Sequence, residues 1–119
     1  MEYHPDRWLM LRFSKDQEVF YKVFATWAGG YLDGDSWKLN SGVSQLKETE
    51  THYLFEGFSG SVYKCGKKSY GSTGYGYGVL SSFMTKALEQ GTVIDALPGN
   101  TDFASIKYVE KERDYGIRK

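Results

Sequence analysis

The stretch from Phe20 to Trp27 is apolar on both of its alternating sides, and this limits the fold more than any other feature of the chain. Tyr21, Val23, Ala25 and Trp27 share one side, while Phe20, Lys22, Phe24 and Thr26 share the other. A strand apolar on both sides must be covered on both, so it belongs in the middle of a sheet or beneath a partner. Arg7–Ser14 has the same character, with Trp8, Met10 and Arg12 opposite Leu9, Leu11 and Phe13. Its Leu/Phe side is expected to face the core.

Further strands are expected over Trp37–Leu46, Thr51–Glu56, Ser61–Cys65 and Thr92–Ala96, separated by short polar or glycine-bearing turns. Gly42 inside the third strand marks a bulge or a close approach by another backbone or a ligand. One helix is expected over Val79–Gln90, where Leu80, Phe83, Met84, Ala87 and Leu88 form a stripe ahead of Gly91. The fold class is therefore α+β. A single small domain is expected, an antiparallel β-sheet meander of about five or six strands with one main amphipathic helix packed on it. Residues 1–6 and 112–119 are read as frayed ends, and 66–78 as a flexible Gly/Tyr loop. The tail from Asp102 fits a helix through Phe103, Ile106 and Val109, and a strand through Ala104, Ile106 and Tyr108.

At 119 residues the chain can bury one core. Aromatics make up 17% of it and glycines number 14, with no repeat, which favours a twisted sheet with tight turns over disorder. The formal net charge is zero. A protein living on phosphate contacts carries a positive excess and a mimic of DNA an acidic one, so nucleic acid is an unfavoured partner. Cys65 stands alone, which excludes an intramolecular disulfide and suits a reducing compartment. No run is long and apolar enough to span a membrane, and Met1–Pro5 has no signal-peptide pattern. The expected location is the cytoplasm.

Two stretches combine small residues with aromatics. The first holds Trp27, Tyr31, Trp37, Asn40 and Ser41; the second holds Ser59, Ser61 and Tyr63. Backbone amides freed by small residues converge readily on an oxyanion or phosphate, and flat rings stack on a base. Lys64, Lys67 and Lys68 would balance phosphate charge. The plainer account of the same residues is hairpin turns with cross-strand aromatic pairs. Catalysis has little support. Cys65 and His52 would form a nucleophile–base pair only if the sheet juxtaposed them. Asp33 and Asp35 lack a full calcium-loop pattern, and two histidines with one cysteine are too few for a zinc site. No cofactor and no enzyme activity are expected. Trp8, Met10 and Phe20 are candidate contacts in a homo-oligomer.

The segments Trp27-Ala28-Gly29-Gly30-Tyr31, Asp35-Ser36-Trp37-Lys38-Leu39-Asn40-Ser41-Gly42 and Ser59-Gly60-Ser61-Val62-Tyr63-Lys64-Cys65 resemble a family of short uncharacterised proteins of tailed bacteriophages. That resemblance implies a phage accessory product, of the kind that neutralises host defence. The expected function is a non-catalytic binding protein that sequesters a small phosphorylated ligand, such as a signalling nucleotide. The alternatives are an inhibitor that docks on a host defence enzyme and, more weakly, a binder of single-stranded nucleic acid.

Overall fold

The computed structural model describes residues 1–29 and 34–108. Eight strands, one α-helix and one 3-10 turn are present among them. In chain order these are β1 (Glu2–Tyr3), β2 (Arg7–Lys15), β3 (Glu18–Trp27), β4 (Ser36–Leu39), β5 (Val43–Glu48), β6 (His52–Gly57), β7 (Val62–Gly66), α1 (Gly74–Glu89), β8 (Thr92–Ala96) and the turn Phe103–Ser105. Tyr31 and the tail 112–119 lie outside the described residues.

The strands form two four-stranded sheets, where the sequence suggested one meander. The inner sheet runs β4-β3-β2-β8 and the outer sheet β1-β7-β6-β5. Every pairing between two of these strands is antiparallel except β1 with β7, which sets Glu2 beside Val62 and Tyr3 beside Tyr63. Residues 1–6, read as frayed, thus include a paired strand.

β2 and β3 are the two central strands of the inner sheet, which accounts for their doubly apolar character. One side, with Trp8, Met10, Val23 and Ala25, meets Val43, Phe55, Tyr63 and Cys65 of the outer sheet, and Phe103 closes this layer. The other side, with Leu9, Leu11 and Phe24, packs with Leu80 of α1 and Ile94 of β8. The result is three layers: helix, inner sheet, outer sheet. The Leu/Phe side of β2 is core as expected, but so is the other. Trp8 and Met10 are 1% and 0% exposed within a single chain, so neither is an oligomer contact.

Two element boundaries also differ from the sequence reading. The expected strand Trp37–Leu46 is two strands, β4 and β5, in different sheets, broken at residues 40–42. Gly42 has φ +124°, and a Cβ there would stand 2.7 Å from the Phe58 ring, so the close approach is made by a side chain of this chain. The helix begins at Gly74, five residues before the expected Val79, because the Thr73 hydroxyl accepts the Gly76 N–H at 3.0 Å as an N-cap. A Cβ at Gly76 would lie 2.6 Å from Thr26 Cγ2, so the missing side chain lets the first turn of α1 sit directly on β3. Among the described residues no helix is long and apolar enough to cross a membrane.

Candidate functional site

The chain changes sheets at Asn40. The Asn40 N–H donates to the Val23 carbonyl at 3.0 Å, continuing the β3–β4 ladder one rung beyond Leu39. The return bond of that rung does not come from the Asn40 backbone carbonyl. The Val23 N–H donates instead to Asn40 Oδ1 at 2.9 Å, and the Gly42 N–H reaches the same oxygen at 3.3 Å. The side-chain amide thus stands in for a strand backbone while the main chain turns away into β5. Asn40 is 3% exposed, and its Nδ2 has no hydrogen-bond partner among the described residues.

The second small-residue stretch meets this corner. The Phe58 N–H donates to the Gly42 carbonyl at 2.8 Å and the Ser59 N–H to Ser41 Oγ at 2.9 Å, with the two serine hydroxyls 3.3 Å apart. Gly57 backs onto the same groups, since a Cβ there would stand 2.8 Å from Ser41 Oγ and 3.2 Å from Asn40 Nδ2. Asn40, Ser41 and Ser59 are therefore brought together as one polar corner. Its hydrogen bonds run chiefly to backbone, and its interior is filled by the Phe58 ring and the Gly57 main chain.

The other predicted residues are dispersed. The β3–β4 register places Trp37 opposite Thr26 and Ser36 opposite Trp27, so the two tryptophans lie on opposite faces of the inner sheet. Trp27 faces the outer sheet, meets Tyr3 edge-on at 6.5 Å and donates its Nε1–H to the His4 carbonyl at 2.9 Å. Trp37 faces α1, stacked on Phe24 at 5.9 Å and edge-on to Phe83 at 5.1 Å. Tyr63 is 2% exposed against Tyr3, and burial pushes its hydroxyl pKa up to about 12, with Tyr3 and Cys65 adding to the shift. Ser61 is half-buried and its carbonyl accepts the Gly57 N–H.

The lysines do not converge. Lys64 pairs across from Leu54 on the outward face of the outer sheet. Lys67 is held by Glu48 at 2.6 Å and lies over the Tyr53 ring at 5.1 Å. Lys68 is exposed at the turn beyond β7. A shallow groove of about 150 Å³ lies on that outward face, lined by Glu2, Gln45, Lys47, Leu54, Glu56 and Val62. Among the described residues, none of the sequence-predicted ligand residues lines it.

His52 and Cys65 do not meet either. His52 pairs opposite Gly66, on the outward face, while Cys65 points inward with 0% exposure. Burial pushes the Cys65 thiol well above its usual range, and its sulfur contacts the Tyr63 carbonyl at 3.6 Å. A thiol so placed is neither ionised nor reachable.

Sequence reasoning missed Tyr70, placed in the Gly/Tyr run and read as loop. Its hydroxyl accepts the Met10 N–H at 3.0 Å and donates to the Leu97 carbonyl at 2.6 Å, tying the approach of α1 to the strand end beyond β8. Its ring stands edge-on to Trp8 at 4.7 Å. Nothing in a string of alternating Tyr and Gly distinguishes this tyrosine from Tyr75 and Tyr77, which are exposed.

What remains at the surface is an aromatic ledge. Trp37 is 37% exposed although it rests on two rings, and it lies on β4, an edge strand of the inner sheet whose only partner among the described residues is β3. Tyr75, 48% exposed, shares a helix flank with Val79 and Phe83 at i, i+4, i+8 spacing, and Phe83 is the residue that abuts Trp37. Comparison with protein-family models, with curated proteins and with solved structures returns no match.

Proposed function

We propose that this chain is a non-catalytic binding protein that engages a protein partner through the Trp37 ledge, and that its partner is a host defence enzyme. The observation that carries the reading is the Trp37 ring itself. It is fixed by Phe24 and Phe83 yet left more than one-third open beside a strand edge that pairs with nothing among the described residues. A rigid aromatic anchor on a surface that also carries the exposed Tyr75 is of the kind that dominates protein–protein interfaces. The resemblance to phage accessory proteins supplies the choice of partner, and on this reading the protein works in the host cytoplasm.

The sequestration of a phosphorylated nucleotide is the less favoured reading. Two of its proposed rings, Trp27 and Trp37, fall on different faces, and its proposed cations are split between the outward sheet face, an ion pair with Glu48 and an exposed turn. One experiment separates the two. Purified protein is screened for thermal stabilisation against a panel of cyclic and ADP-ribose-type nucleotides, and in parallel is used to capture partners from host lysate alongside Trp37→Ala. The proposal expects no nucleotide shift and one dominant partner lost in the variant. A specific nucleotide shift, with no Trp37-dependent partner, overturns it.

A further inference from the structure

The inner sheet is covered on both faces, whereas among the described residues nothing covers the outward face of the outer sheet. Strand pairing orders the side chains on that face into two adjacent rows. In one row Gln45 pairs with Glu56, Glu56 with Val62, and Val62 with Glu2. In the next, Lys47 and Lys64 flank Leu54 on its two sides. The first row is acidic with an apolar centre at Val62, and the second is basic with an apolar centre at Leu54. The rows stand two residues apart along each strand, roughly 7 Å. The groove described above lies across both.

We infer that this face binds a second copy of the chain, packed sheet against sheet about a two-fold axis that runs across the strands between the two rows. Such an axis reverses the strand direction but keeps the row direction. It sets the acidic row of one copy over the basic row of the other, so that Glu56 lies over Leu54 of its twin, between Lys47 and Lys64. An isologous contact of this kind needs a self-complementary surface, and two glutamates beside two lysines supply one. A nucleic acid or an anionic membrane would instead favour a face of one sign. Glu56 is already oriented by a hydrogen bond from the Gln45 amide, and Glu2 by His4 at 2.6 Å, so the acidic row is partly ordered before association. This face is on the far side of the molecule from the Trp37 ledge, across the whole outer sheet, so the inference stands independently of the proposed function.

Sedimentation velocity on the full chain at tens of micromolar tests it. The wild type is expected to be a dimer that weakens as salt rises. Lys47→Glu with Lys64→Glu makes both rows acidic, and Glu2→Lys with Glu56→Lys makes both basic. Each double variant is expected to self-associate at least about tenfold more weakly, because like charges then face each other. An equimolar mixture of the two variants is expected to recover a heterodimer. Circular dichroism confirms that each variant is folded, and a Leu54→Asp variant gives a third, apolar disruption. A wild-type monomer at these concentrations overturns the inference. So does a dimer that survives all three variants, or a pair of monomeric variants that fail to recombine.

Discussion

The Val23 N–H is bonded at 2.9 Å to a side-chain oxygen, Asn40 Oδ1, in the position where a strand backbone would otherwise supply the carbonyl. Both residues are buried. This one amide lets the chain leave the inner sheet without abandoning the Val23 amide, and it joins the two layers at their shared corner.

The first prediction concerns that bond. Asn40→Ala leaves the Val23 N–H buried without its acceptor and removes the contact to Gly42, at a cost of about 2–3 kcal/mol. Urea denaturation checks it, and a loss below about 0.5 kcal/mol would show that the corner tolerates the missing acceptor.

Two glycines two positions apart in α1, Gly76 and Gly78, should respond with opposite signs. Gly78 has open space where a Cβ would go, so Gly78→Ala should stabilise the helix by up to about 1 kcal/mol. At Gly76 the same methyl would meet the Ser72 hydroxyl and Thr26 Cγ2, so Gly76→Ala should destabilise despite its better helix propensity. Thermal melts of the two variants side by side check the contrast.

These particulars also show what the sequence could reveal. The doubly apolar pattern of Phe20–Trp27 did announce a central strand, and Leu80, Phe83 and Met84 did announce the helix that covers it. The sheet change at Asn40 left only Gly42 as a mark, and that glycine fits a bulge within one strand as well as a break between two. The candidate site suffered from parity. Whether Trp27 and Trp37 share a face depends on the hairpin register that sets Thr26 against Trp37, and one residue of slip would reverse the answer. Ser41 and Ser59 do meet, as partners in a turn-to-turn hydrogen bond.

Alkaline pH should unfold the protein through its buried tyrosines. Burial raises the hydroxyl pKa values of Tyr63 and Tyr70 to about 12 and shifts Tyr108 upward as well. Below about pH 10 folded and unfolded chains bind the same tyrosine protons, so these groups confer no pH dependence there. Between about 10 and 12 the unfolded chain loses protons that the folded chain keeps, and stability falls as pH rises. Denaturation followed against pH checks this. Tyr63→Phe and Tyr70→Phe should each make the decline shallower, and Tyr70→Phe should also cost about 1–3 kcal/mol at neutral pH by orphaning the Met10 N–H.

Trp37→Ala removes a ring that supports little of the sandwich core, which lies on the opposite face of the inner sheet. The variant should remain folded, with stability lowered by about 1–3 kcal/mol from lost contact with Phe24 and Phe83. A Trp37→Ala protein that fails to fold would place the residue among the structural ones.

The central claim is that the exposed part of Trp37 is the point of contact with a protein partner. Its most direct test replaces Trp37 with a photo-crosslinking phenylalanine analogue in the full-length chain, with the same analogue at Lys86 on the solvent side of α1 as a control, and irradiates both in host lysate. The account predicts one covalent adduct of defined mass from position 37, suppressed by excess wild-type protein and absent from the control. Irradiation that yields no adduct at position 37, or the same adducts from both positions, contradicts it.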